Sequence, residues 1–471
     1  MAQHSVGTVR TEVHRLQSPL RLECGAELKD AEIAYEQYGS LENPVILLCH
    51  ALSGDAHAAG THAGETKSGW WDGVIGEGKA LDTARYCIIC TNVIGGCAGS
   101  TGPSSRNPQT GKPYGREFPV ITITDMVRAQ HQFLTEHGVS HLYAVIGGSM
   151  GGMQTLTWAV LYPDFLRKAV VIASSGYSTP MHIAFNAVQR AAVLREKDGG
   201  LALARMMAHI TYLSEESMYE KFGRRLQYAD ERSFDFAPEF SVETYLSHQG
   251  ESFVKRFDAD SYLYITKALD YYDLTKDGSL AAGLACANAQ FLILSVSSDW
   301  LYPSVLSGEI VSALRASGKD AEYAEIISPF GHDGFLLEFS QLNYLLGKFL
   351  TPQTVADLMK VNPPVIHCDA TLSEAAKMMV SEGTDHLPVV SEDGILKGIV
   401  TSFDVAKSVA FGLGSLREVM TTSVITAEPT DSLPEAAQRL KKYHISALPV
   451  VCQGKVVGML TSDSLASGRK A

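Results

Sequence analysis

The stretch HLYAVIGGSMGGMQTLTWAVLYP, residues 141–163, limits the fold more than any other part of the chain. A run of β-formers, Leu142 to Ile146, enters a turn in which four glycines surround Ser149, and an apolar helical segment follows. G-x-S-x-G by itself is a short and common pattern. Set between a strand and a helix it reads as a nucleophile elbow, a turn so sharp that its neighbours must lack a Cβ. The helix behind it supplies N–H groups and a positive dipole end for a developing oxyanion.

Around this elbow, residues 30–180 alternate short β-rich runs with helical ones. VILLCH (45–50) and YCIICTNV (86–93) are continuous apolar runs, the mark of strands buried on both faces. DMVRAQHQFLTEHG reads as an amphipathic helix closed by Gly138, and KAVVIASS (168–175) as a further strand. This rhythm predicts an α/β fold, a mostly parallel sheet covered by helices. Between about 180 and 285 strands give way to helical segments, an insertion expected to form a lid over the sheet's carboxyl edge. The sheet pattern resumes with FLILSVSSD (291–299) and EYAEIIS (322–328).

Composition and charge narrow the function classes. A net charge of −13 with no basic cluster argues against nucleic-acid binding. No apolar run approaches the roughly 18 residues of a membrane span, and the N-terminus lacks the apolar core of a signal peptide. The eight cysteines are scattered, with no CxxC pair, so neither a disulfide scaffold nor a metal is expected. These features predict a cytoplasmic protein without membrane or nucleic-acid partners.

A serine hydroxyl needs a base to become a nucleophile. His332, in SPFGHDGF, follows the last expected strand, and Asp299 ends the apolar run FLILSVSSD. The order Ser149, Asp299, His332 is that of the α/β-hydrolase triad: attack, proton transfer, and orientation of the imidazole. The oxyanion donors are expected from the backbone N–H groups of Met150 and of Leu52, in the loop CHALSGD. His50 and His57, nearby, read as structural or pocket-lining. Such a triad makes an acyl-enzyme; water as acceptor would make an esterase, another nucleophile a transferase. A sensor built on a dead hydrolase scaffold is the non-catalytic alternative, against which the complete triad stands.

CHALSGDAH, GWWDGVIGEGKALDT, TNVIGGCAGSTGPSSRNPQTGKPYG, GGSMGGMQ, KFGRR, DWLYP and GHDGFL together resemble the homoserine O-acyltransferase family, most closely its O-acetyltransferase branch. The resemblance spans roughly residues 10–350. It implies acyl transfer from acetyl-CoA, as co-substrate and without other cofactor, to the hydroxyl of L-homoserine in methionine biosynthesis. It also implies a ping-pong route through Ser149, with Asp299 and His332 completing the triad, and a homodimer. Arg224, beside Arg225 in KFGRR, and Asp333 match residues that bind the amino acid's carboxylate and ammonium. Leu301 stands where succinyl-using relatives tend to carry arginine, so acetyl is expected over succinyl.

From near Pro352 the chain repeats itself. DHLPVVSEDGILKGIVTSFD (385–404) recurs as SALPVVCQGKVVGMLTSDS (446–464), and TLSEAAKMM (371–379) as SLPEAAQRL (432–440). Two strand–helix–strand–strand copies, 352–411 and 412–471, are expected behind a catalytic domain of 1–350. They resemble a pair of CBS domains, which implies an adenosine-containing regulatory ligand, S-adenosylmethionine being favoured and ATP or AMP equally compatible. In the first copy Thr401 would meet phosphate or ribose and Asp404 the ribose hydroxyls. In the second, Asp463 comes one place early and Ser464 stands at the acidic position.

Overall fold

The computed structural model describes residues 5–227, 231–232, 234–351 and 354–467. The chain divides into two compact units, Met1–Leu350 and Thr351–Ala471. The expected limits of the second unit, residues 352 and 471, lie outside the described residues.

The larger unit is built on an eight-stranded sheet: β1 (Glu12–Arg15), β2 (Glu32–Tyr38), β3 (Val45–Cys49), β4 (Cys87–Thr91), β5 (Leu142–Gly148), β6 (Leu166–Ile172), β7 (Gln290–Val296) and β8 (Ala321–Ile326). Their spatial order is β1-β2-β4-β3-β5-β6-β7-β8. β2 runs antiparallel to both neighbours, and every pairing from β4 to β8 is parallel. This is the α/β-hydrolase arrangement that the sequence predicts. The central runs VILLC, CIICT and LYAVIGG are buried at every position. At the margins β1 alternates and β8 keeps Glu322 and Glu325 outside the core, which discourages further strand pairing.

Helices cover both faces. On one lie α1 (Ile123–Glu136), α2 (Met150–Leu161) and, later in the chain, the helix Ser304–Ala316, packed around Phe133, Trp158 and Leu314. On the other, the helix Phe339–Leu350 contributes Leu342, Leu346 and Phe349 beside Trp71. α1 starts where the sequence dictates: Thr122 accepts from the Asp125 N–H, and the Asp125 carboxylate accepts from Thr122 in return.

Between β6 and β7 the described residues form a short helix, Leu280–Leu284, and before it five others: α3 (Pro180–Arg195), α4 (Lys197–Tyr212), α5 (Glu215–Phe222), α6 (Ser241–Val254) and α7 (Ala259–Asp270). These five enclose a small core of their own, centred on Leu201, Phe253 and Tyr262. Among the described residues no helix is long and apolar enough to cross a membrane.

The smaller unit holds two three-stranded sheets. Ile366–His367, His386–Val390 and Leu396–Thr401 make the first, with the helix Leu372–Glu382 belonging to this copy. In the second, Ala447–Cys452 and Lys455–Thr461 take as third strand Lys360–Val361, which lies within the residues expected for the first copy. Thr421 reciprocates by bridging to Ile399 of the first sheet. The repeats are therefore interlocked and share pieces across the boundary expected near residue 411.

Phe133 is fully buried and meets Tyr35 of β2 at 4.7 Å between ring centroids. Phe133→Ala should cost about 3–5 kcal/mol, read as a lower denaturant midpoint of the larger unit at unchanged slope. Thr122→Ala should cost only about 1 kcal/mol, by loss of the cap.

Candidate active site

Ser149 joins β5 to α2 with φ 57° and ψ −123°, a conformation that costs a non-glycine residue about 1–3 kcal/mol. Its neighbours explain how the turn closes. A Cβ on Gly147 would stand 2.1 Å from the Gly151 carbonyl oxygen, and one on Gly151 2.0 Å from that of Cys49. Only glycine lets the start of α2 sit directly on the end of β3. The turn is held by the Ser149 N–H donating to Ile172 O at 2.9 Å, and by Ser174 Oγ donating to Ser149 O at 2.8 Å.

Asp299 and His332 follow β7 and β8 and are both buried. His332 Nδ1 lies 2.6 Å from Asp299 Oδ2. The other carboxylate oxygen accepts from the N–H groups of Leu301 (2.9 Å) and Tyr302 (2.8 Å), so the carboxylate is fixed on both sides. Burial pushes the His332 pKa down, but the charge and hydrogen bond of Asp299, with the charge of Asp333, raise it above the ordinary value. Tyr302 stacks on the imidazole at 5.1 Å, and His182 packs on Tyr302 at 4.3 Å.

Ser149 and His332 open on one cavity of about 630 Å³, together with Leu52, Asp333, Tyr212, Arg205 and Arg256. Met150 is the first residue of α2, whose N–H has no partner within its own helix. Asp333 is pushed up by burial and held back by the charges of His332, Arg205 and Lys221; its pKa remains above the usual carboxylate value.

Two expected positions lie elsewhere. α5 ends at Gly223, with φ 53°, and the turn beyond it carries Arg224 and Arg225 into solvent. Arg224 rests over the Phe240 ring and lines a separate surface hollow. Leu301 packs against the core on the α1–α2 side of the sheet and does not line the Ser149 cavity. A missing cation at residue 301 therefore does not describe the acyl pocket.

The cations that line the Ser149 cavity, Lys67, Arg205 and Arg256, were not anticipated. Arg205 is half-buried on α4 and lies over Phe253 at 4.7 Å and Tyr212 at 5.6 Å. The available signal was its register: it falls four residues after buried Leu201 and four before buried His209. Arg256, from the turn after α6, packs on Phe253 at 5.0 Å.

The cavity wall also carries His57 and His62, which share the buried Glu36 carboxylate at 3.1 and 2.8 Å. These three residues could gather around a metal, their donor atoms lying within 4.8 Å of one another. Tyr38 and Thr11 also donate to Glu36, at 2.7 and 2.8 Å, so both carboxylate oxygens are already engaged.

In the smaller unit Thr401 caps the helix Ser402–Phe411, and Asp404 Oδ2 accepts from the Thr401 N–H (2.9 Å) and hydroxyl (2.7 Å). Thr461 and Ser464 reproduce this cap in the second copy, the Ser464 hydroxyl accepting from the Thr461 N–H at 3.0 Å.

Comparison with known proteins agrees with both halves of this description. The alpha/beta hydrolase fold family model matches residues 44–339, and the CBS domain model matches 355–410 and 416–469. A homoserine O-acetyltransferase of Methanocorpusculum labreanum is 60% identical over 480 residues, covering 99% of each chain. One of Methanosalsum zhilinae is 52% identical, covering 99% of this chain and 98% of its own. Among solved structures, homoserine O-acetyltransferase from Bacillus anthracis superposes with a TM-score of 0.69 at 29% identity, covering 73% of this chain and 98% of that one. Esterase E22 superposes with a TM-score of 0.68 at 29% identity, over 73% of this chain and all of its own. The architecture is thus shared with an esterase, whereas the likeness over the whole chain is to acetyltransferases. The chain belongs to the homoserine O-acetyltransferase family, acyltransferases built on the α/β-hydrolase fold.

Proposed function

We propose that the protein transfers acetyl from acetyl-CoA to the hydroxyl of L-homoserine through an acetyl-Ser149 intermediate, in methionine biosynthesis. The observation that carries this reading is the joint opening of Ser149, His332, Asp333 and Arg205 on one cavity. His332 Nε2 takes the Ser149 proton as Oγ adds to the thioester carbonyl. The Leu52 and Met150 N–H groups stabilise the resulting oxyanion, which collapses as the CoA sulfur leaves with the proton held by His332, and the imidazole is neutral again. The homoserine hydroxyl then loses its proton to His332 and attacks the acetyl-enzyme, and Ser149 recovers its proton when the ester leaves.

A zwitterionic acceptor needs a fork for its carboxylate and an anion for its ammonium. Arg205 takes the first role, replacing Arg224, and Asp333 takes the second. The helices α3–α7 act as a lid that supplies Arg205 and limits access of water, which would otherwise divert the acetyl-enzyme to hydrolysis. The acetyl donor is favoured by the full-length relatives rather than by Leu301. The exposed apolar flank of α3, with Met181, Val188 and Leu194, supports the expected homodimer, measurable by light scattering. Asp404, beside Thr401, supports an adenosyl ligand at the first CBS copy.

Ser149→Ala should abolish acetyl-enzyme formation, with a rate loss on the order of 10⁴–10⁶, while the melting temperature is retained, because alanine keeps the Cβ and the turn's strain is unchanged. Acetyl trapped on another residue would refute the assignment. With acetyl-CoA and succinyl-CoA in competition, mass spectrometry should find O-acetylhomoserine as the main product; free acetate in its place would indicate an esterase.

Arg205→Lys should raise KM for homoserine at least tenfold, and Arg224→Ala should change it less than twofold. The reverse result would restore Arg224. Because neutral His332 is the base, kcat/KM for acetyl-CoA should rise with pH through a value above 6.5, the ordinary histidine pKa. Asp299→Asn removes the main group that raises that pKa and leaves burial and the weaker influence of Asp333, so the limb should move to lower pH as kcat falls by about 10⁴.

At the CBS pair, Asp404→Ser keeps a cap of the kind Thr461 and Ser464 make and removes the carboxylate. Titration of the full chain with S-adenosylmethionine and with ATP should show weaker binding in this variant at an unchanged melting temperature. No heat from either ligand with the parent protein at millimolar concentration would remove the regulatory reading.

A further inference from the structure

His50 closes β3, two residues before Leu52, and is shut away from solvent. Both its ring nitrogens have partners of a single possible polarity. The Val93 N–H donates to Nε2 at 3.1 Å, so Nε2 carries the lone pair. Nδ1 therefore carries the proton, which it donates to the Ala51 carbonyl at 2.7 Å. The charged form would need a proton on Nε2, facing the Val93 N–H. Burial, the larger influence, also pulls the His50 pKa below its ordinary value, against the Ala51 hydrogen bond and the Asp55 charge.

The Ala51 carbonyl belongs to the same peptide plane as the Leu52 N–H, and it accepts a second bond from the Gly54 N–H at 3.0 Å. In a planar trans peptide the C=O and N–H point to opposite sides. Two donors gripping the carbonyl therefore turn the Leu52 N–H the other way, and Leu52 lines the Ser149 cavity. The other end of His50 is held too: Gln154 of α2 donates to its carbonyl at 3.3 Å, and Gln154 is itself held by Gln130 at 2.8 Å. Beyond Leu52, Arg205 reaches the Ser53 hydroxyl at 3.3 Å and Arg256 the Ser53 carbonyl at 3.1 Å. The loop is thus tied on one side to the elbow helix and on the other to the helical insertion.

We propose that His50 is a positioning residue, a permanently neutral imidazole whose Nδ1–H holds the Ala51 carbonyl and thereby aims the Leu52 N–H at the acyl oxyanion. The inference rests on Ser149 as nucleophile. His50 does not touch substrate and exchanges no proton in turnover; it keeps an oxyanion donor in place before charge develops, which is where such a donor acts.

Asparagine places its amide nitrogen where Nδ1 stands, whereas glutamine places it where Nε2 stands. Rapid-quench mass spectrometry of Ser149 acetylation by acetyl-CoA, on the full chain, separates the two. H50Q and H50A should acetylate about 10²-fold more slowly, the scale of losing one oxyanion donor, with KM for homoserine within twofold of the parent. H50N should recover at least tenfold of that loss, without a matching gain in melting temperature over H50Q, and should keep the pH limb of His332. H50N as slow as H50Q, parent-like rates in H50A, or an effect confined to homoserine KM would each overturn the proposal. A parent enzyme that forms no acetyl-Ser149 would sink the triad and this proposal together; normal acetylation with no H50N recovery would sink this proposal alone.

Discussion

The active site depends on one steric fact, the contact between the first turn of α2 and the end of β3. Gly151 lies so near the Cys49 carbonyl, and Gly147 so near the Gly151 carbonyl, that any Cβ would force the helix off the sheet. That closeness holds Ser149 at positive φ and gathers the serine, the N-terminus of α2 and the Leu52 loop in one place. The strain is absorbed by a large surrounding core, since β3 and β5 are buried along their whole length.

Electrostatics adds a second layer. Asp299 has an acceptor role on both oxygens, so it orients His332 without needing a proton. His50 stands two residues from Leu52, and its environment acts oppositely to that of His332, because its ring nitrogens meet a peptide N–H and a carbonyl and not a carboxylate. Both rings are buried: the Asp299 carboxylate makes one more basic, whereas burial and the Val93 N–H keep the other neutral. Glu36 shows a third use of the same chemistry, a buried carboxylate shared by His57 and His62 that ties residues 57 and 62 of the cavity wall to β2.

The helical insertion contributes more than cover. Arg205 and Arg256 pack on Phe253 and both reach Ser53, so the groups expected to meet the acceptor are continuous with the loop that carries Leu52. In the smaller unit the two CBS copies keep one cap while differing in its chemistry. Asp404 caps with a carboxylate and Ser464 with a hydroxyl, so helix formation is preserved where charge is not.

The sequence by itself determined the sheet, the glycine turn around Ser149 and the chain order of Ser149, Asp299 and His332. Continuous apolar runs of five to eight residues fit strands covered on both faces, and glycines at 147 and 151 permit the tight turn. It also determined the internal repeat, because repetition is legible without contacts. Which arginine lines the Ser149 cavity was decided only by tertiary structure: KFGRR looks like a charged motif, but the helix ends at Gly223 and releases Arg224 to solvent, whereas Arg205 is turned inward by its register on α4. The place of Leu301, the exchange of Lys360–Val361 between the CBS copies and the tautomer of His50 likewise arise between residues distant in the chain. Periodicity reports the face a residue occupies on its own element; only the packed fold supplies what that face meets.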